Sequence, residues 1–257
     1  LGIGPFPKMG VVGAAVATVL GYVVSTIIAL IQLFLTKQKV KPVFKNCLEP
    51  QMIKLIFSYG LPSFVMNALG AFTVNFANMF LVRYSDTAVA FFGAYFKVQQ
   101  LIFMTVNGLI QGCLPIMRFN YRAKEYGRLK QANKSGTIIA TVMMIVGMLL
   151  VLIFPKEILF LFSASEEMCA FGVPAMRIMS LGFVFSGFSA MIATYEQATD
   201  SIMPGVVVQL LRQGVLLVPV IWLLNSAVQM TGIWLAFPIT EFVTFLVAVV
   251  FAKIKNH

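Results

Sequence analysis

Residues 9–36 contain no acid and no base, and neither do residues 55–82. Each run exceeds the roughly twenty residues that a helix needs to cross the hydrocarbon core of a bilayer. Residues 135–154 form another such run, and between 201 and 252 only Arg212 and Glu241 are charged. Charged residues make up 11% of the chain, hydrophobic residues 60%, and the mean hydropathy is +0.91. A soluble domain carries about a quarter charged residues, so this chain lacks the groups to cover a water-facing surface. With lipid as solvent, every backbone N–H and C=O needs an internal partner, which leaves helices or a closed barrel. A barrel would show short alternating segments. The long apolar runs specify helices, and the fold class is all-α, polytopic, with about seven transmembrane helices.

The spans fall at 9–36, 55–82, 88–117, 135–154, 171–194, 204–224 and 231–252. The last two are separated at Asn225 to Gly232, because one helix cannot use the whole stretch. Basic residues cluster between spans: Lys37, Lys39, Lys41, Lys45 and Lys54, then Arg118, Arg122, Lys124, Arg128, Lys130 and Lys134, then Lys253 and Lys255. The alternate connections hold fewer, namely Lys8, Arg83, Lys97 and Lys156. By the positive-inside rule the basic connections and the C-terminus are cytoplasmic. Seven spans then put the N-terminus outside. The net charge of +10 is read as topology and not as nucleic-acid binding, since no basic stripe interleaves with aromatics. An outside terminus beginning at Leu1, with no signal peptide ahead of the first span, is expected for an excerpt of a longer protein.

Polar groups inside spans are costly and therefore informative. Asn67, Asn75 and Asn78 share one face of the second span, and Gln100, Asn107 and Gln111 share a face of the third, by the 3.6-residue turn. Such amides either bond neighbouring helices together or line a wet cavity, and their number favours the cavity. Gln209, Arg212 and Gln213 form a cluster in the sixth span, where Arg212 either snorkels to the inner interface or takes a partner. Glu241 lies deep in the last span, a proton-relay or cation-site candidate or else a structural partner for Arg212. Glu196 ends the fifth span and is expected at the interface and not buried, and Arg177 is expected to snorkel outward. Cys47, Cys113 and Cys169 form no paired motif, and the single histidine is His257. No metal site is read from them, and histidine-dependent catalysis is close to excluded. The chain is therefore not expected to be an enzyme.

Four stretches together resemble the C-terminal half of multidrug and toxic compound extrusion (MATE) transporters. Met9-Gly-Val-Val-Gly-Ala-Ala-Val-Ala-Thr18 is similar to the start of that family's sixth helix, and Gly60-Leu61-Pro62 to the entry of its seventh. Gln111-Gly-Cys-Leu-Pro-Ile-Met-Arg-Phe-Asn-Tyr-Arg-Ala-Lys124 is similar to the end of its eighth. Gly232-Ile-Trp-Leu-Ala-Phe-Pro-Ile-Thr-Glu241 is similar to the start of its twelfth. Leu211-Arg-Gln-Gly214 also fits the eleventh.

The resemblance implies that 1–36 is the last helix of an N-terminal lobe and 37–54 a basic cytoplasmic inter-lobe loop. Residues 55–257 would be the C-terminal six-helix lobe. It implies a multi-pass cell-membrane antiporter that exports organic, often cationic, compounds in exchange for H⁺ or Na⁺, with no other cofactor. Its partners would be small-molecule substrates, the lipid bilayer and the missing N-terminal lobe. Asn67, Asn75, Asn78, Asn107 and Gln111 would line the central cavity. Residues 63–82 hold no acid where some members carry one, and Phe119-Asn-Tyr-Arg-Ala123 stands where many have Tyr-Asn-Tyr-Gly-Ala. These departures argue against a Na⁺ site in this half. The alternatives are a related lipid or oligosaccharide flippase, which would favour cations in its cavity, and a truncated remnant that does not transport.

Overall fold

A computed structural model describes residues 10–35, 49–199, 207, 208 and 210–255. The chain divides into two units, residues 1–58 and 59–257. In the first unit, α1 (Gly10–Leu35) is one uninterrupted helix without a charged residue. The basic run from Lys37 to Lys45, Cys47, Asp200, Gln209 and His257 lie outside the described residues.

Helix α2 (Pro50–Leu81) leads into the second unit. A short turn follows, and Ser85 caps α3 (Asp86–Arg122) by accepting a hydrogen bond from the Ala88 amide at 3.0 Å. After a turn at Ala123–Glu125 come α4 (Tyr126–Ile153) and the short α5 (Pro155–Leu161), which opens on a proline. Ser165 caps α6 (Glu166–Ser180) in the same way as Ser85 caps α3, through the Met168 amide. A break at Leu181 and Gly182 leads to α7 (Phe183–Ala198). A π-helical segment, Leu211–Val215, precedes α8 (Leu217–Lys255), which is interrupted at Val228 and Gln229.

Five stretches among the described residues are long and apolar enough to cross a membrane: residues 15–34, α3, α4, the α6–α7 pair and residues 217–251. The described apolar part of α2, Ala68–Leu81, is shorter. Helix α2 and the division of α8 into two arms add to these, and the described helices agree with about seven spans. The boundaries differ at three places. Pro50 to Lys54, read as the end of a loop, open α2, and the fifth span, read as one helix over 171–194, is broken at Leu181 and Gly182. The basic residues read as a loop from 117 to 134 mostly lie on helix: Arg118 and Arg122 end α3, and Arg128, Lys130 and Lys134 begin α4. Long basic side chains can stay on a helix past the hydrocarbon because their stems carry the charge to the headgroups, and cations suit the last turn of α3.

Lipid tails provide no hydrophobic drive between helices, so close packing must hold them together. Helix α4 packs on both α3 and α7, and glycines make the contacts tight. A Cβ at Gly187 would stand 2.9 Å from Met144 Cγ and 3.1 Å from the Ala140 carbonyl oxygen. Gly136 faces Met191 in the same interface. The second arm of α8 buries Ile233, Trp234, Ala236, Phe237, Thr240, Thr244 and Ala248, a helical stripe that faces the bundle. Trp234 sits edge-on to Phe91 with ring centroids 5.2 Å apart. Several buried hydroxyls bond within their own helical segments: Ser186 Oγ donates to the Gly182 carbonyl and Ser189 Oγ to that of Phe185.

Candidate functional site

The site begins with the interruption in α8. Val228 leaves helical geometry and Gln229 takes φ 54°, the left-handed region that non-glycine residues seldom occupy. Gly232 then lies against the Leu224 carbonyl, with no room there for a side chain. The chain turns back. A continuous helix would set Arg212 and Glu241 about 43 Å apart at 1.5 Å per residue. Instead, Arg212 Nε donates to Glu241 Oε1 at 2.8 Å, and the two side chains are 16% and 14% exposed.

The surroundings complete the pair. The Arg212 guanidinium carbon lies 4.8 Å from the centroid of the Phe103 ring, a cation–π contact from α3. Gly182 lets α8 approach the α6–α7 junction: a Cβ there would stand 3.2 Å from Pro238 Cα and 3.3 Å from Glu241 Cγ. Glu241 Oε2 is buried and accepts no hydrogen bond from any described residue. Arg212 therefore takes a partner and does not snorkel. Gln213, the third member of the sequence cluster, has its side chain outside the described residues.

The amides separate into two groups. Gln100, Asn107 and Gln111 are all exposed on one face of α3. Gly93, Gly108 and Gly112 have open space where a Cβ would be. Lys97 is exposed one turn before Gln100, so the polar row reads Lys97, Gln100, Asn107, Gln111. Lys97 falls inside the sequence-read third span and enters only the count of topology charges, although its spacing of three from Gln100 is the signal that joins it to the row. On α2, Asn75 is exposed and its Nδ2 donates to the Ala71 carbonyl at 3.0 Å, within its own helix. Asn78 is half-buried, and its Oδ1 is buried with no hydrogen-bond partner among the described residues. The Asn67 side chain lies outside the described residues.

One other expectation changes. Glu196 is 2% exposed, because α4 packs along α7 and covers it. Arg177 stays exposed, and its Nε donates to the Leu152 carbonyl at 3.2 Å near the end of α4, which leaves the outward reading unchanged. Among the described residues no cluster of three or more histidine, cysteine or acidic side chains is placed to hold a metal ion.

A packed bundle of membrane-length helices with a buried ion pair and one polar helix face is that of a polytopic membrane protein. The MatE family profile matches residues 62–223, and the chain belongs to this family of MATE transporters. It is 26% identical over 235 residues to the multidrug export protein MepA of Staphylococcus aureus strain bovine RF122, covering 91% of this chain and 51% of that protein. It is likewise 26% identical to MepA of Staphylococcus saprophyticus, covering 93% and 53%. The chain thus spans about half the length of these curated relatives. Its fold matches a multidrug resistance MATE family transporter solved in an outward-facing conformation, with TM-score 0.82 and 20% identity. The match covers 96% of this chain and 56% of that one. A transporter of the MOP superfamily from Pyrococcus furiosus matches with the same TM-score and 20% identity.

Proposed function

We propose that this chain is the C-terminal portion of a secondary active multidrug efflux antiporter, exporting organic, often cationic, compounds in exchange for H⁺ or Na⁺. In this reading 1–36 ends the N-terminal lobe, 37–54 links the lobes on the cytoplasmic side, and 55–257 is the C-terminal lobe, with its C-terminus inside. The chain's similarity to multidrug export proteins supports it. The observation that carries it is the α3 row. Gln100, Asn107 and Gln111 are exposed, with Lys97, on one face of a helix long and apolar enough to cross a membrane. Polar groups within such a span are expensive against lipid, so they fit a water-filled path shared with a second lobe. Transporters of this kind place their substrates near the midplane between two lobes. The chemistry is binding and release, so no enzymatic step is assigned.

Glu241 is already occupied by Arg212. We therefore assign the pair a structural role and leave the coupling carboxylate to the other lobe. The test uses the complete reading frame in an efflux-deficient host. Asn107→Leu with Gln111→Leu is expected to abolish tolerance to cationic dyes while the protein remains in the membrane. Unchanged tolerance would remove α3 from the pathway. A cytoplasm-dependent reporter fused after His257 is expected to be active, and silence would reverse the topology.

Lys97 favours a second reading, a flippase for anionic lipid-linked substrates, because it places a cation on the same face. Lys97→Gln separates the two: it spares export of cationic dyes under the antiporter reading.

A further inference from the structure

The geometry points to a binding site for the phosphate group of an anionic phospholipid at the basic end of the bundle, between α4 and the last turns of α3 and α7. A cavity of about 510 Å³ opens there. Lys130 and Lys134 line it from α4, Tyr121 and Tyr126 from either side of the α3–α4 turn, and Tyr195 from α7. The lysines are four residues apart, one above the other on a single helix face, and both are exposed. Between them on the lining is Asn133, whose Oδ1 is buried and accepts no hydrogen bond from any described residue. One acid, Glu196, lines the opposite wall and is 2% exposed. The accessible charge is therefore positive.

The position selects the ligand. Three helix ends meet here at the edge of their apolar spans, with Arg118, Arg122, Lys124 and Arg128 close by in sequence. That is headgroup depth, where tyrosines settle and where basic pockets between transmembrane helices take phospholipid headgroups. Two ammonium groups suit one phosphate diester. A hydroxylated headgroup such as glycerol would add a donor for Asn133 Oδ1, which phosphatidylcholine lacks. This inference rests on the membrane bundle and not on the transport reading.

The test titrates the purified full chain in detergent with phosphatidylglycerol or phosphatidylcholine and counts bound lipid by native mass spectrometry. One phosphatidylglycerol is expected to bind at least about tenfold more tightly than phosphatidylcholine, and Lys130→Gln with Lys134→Gln is expected to erase the difference. Lys130→Arg with Lys134→Arg should keep it, which controls for folding. Lys124→Gln with Arg128→Gln, cations that do not line the cavity, should also keep it. Equal binding of the two lipids, or phosphatidylglycerol binding that survives the double glutamine change, overturns the proposal. Inorganic phosphate that, titrated alone, binds at least as tightly as phosphatidylglycerol and is lost in the double glutamine variant also overturns it and assigns the cavity to a soluble anion.

Discussion

Arg212 and Glu241 meet at 2.8 Å although 29 residues of largely helical chain separate them. The contact holds the doubled-back arms of α8 and the π-helical segment in register. Removing one member leaves the other charge in a largely buried position. Glu241→Gln or Arg212→Met alone is expected to destabilise the protein by about 3 kcal/mol. The double change Arg212→Met with Glu241→Gln should recover much of that loss. Thermal melting of the detergent-solubilised variants checks this, and additive losses in the double variant would show that the charges do not interact.

Phe103 offers the Arg212 guanidinium its ring face at 4.8 Å. Phe103→Leu keeps the apolar volume close and removes the quadrupole. The expected cost is about 1 kcal/mol in the parent and near zero in Arg212→Met. A double-mutant cycle on melting temperature measures the difference.

Gly187 and Gly108 should respond oppositely to the same change. A Cβ at Gly187 meets Met144 and the Ala140 carbonyl, whereas one at Gly108 meets nothing within 4 Å. Gly187→Ala is expected to cost about 1–3 kcal/mol by overpacking the α4–α7 contact. Gly108→Ala should stay within about 0.5 kcal/mol of the parent. Equal melting temperatures would show that α4 and α7 are less close than described.

Tyr84 Oη lies 2.9 Å from Asn225 Oδ1 and donates to it, tying the α2–α3 turn to the first arm of α8. Tyr84→Phe is expected to cost about 1 kcal/mol and to raise hydrogen exchange around residues 225–229. Exchange that does not change would mean that the turn at Gln229 is held by packing alone.

Much of this architecture is legible in the residues. Uncharged runs mark helices because lipid permits few other backbones, and Asn225 to Gly232 marks the break because a single helix is too long for the bilayer. The polar row on α3 follows from helical spacing, since Gln100, Asn107 and Gln111 recur on one face whatever the helix packs against. Lys97 belongs to that row too, although it lies inside the span 88–117 and is tallied with the connection charges, because a charge count for topology ignores the helix face on which a residue falls. Glu196 is read as uncovered and is instead buried, because sequence gives depth along a helix but not what packs over a side chain.

The sequence by itself determined the solvent, the helical class and the family, since these depend on local composition, periodicity and short motifs. Tertiary structure decided the partners. It turned Arg212 toward Glu241, turned Asn78 inward and Asn75 outward, and gathered Lys130, Lys134 and three tyrosines around one cavity. The physical reason is that a contact across 29 residues depends on where the chain turns, and the turn at Gln229 depends on everything packed around it.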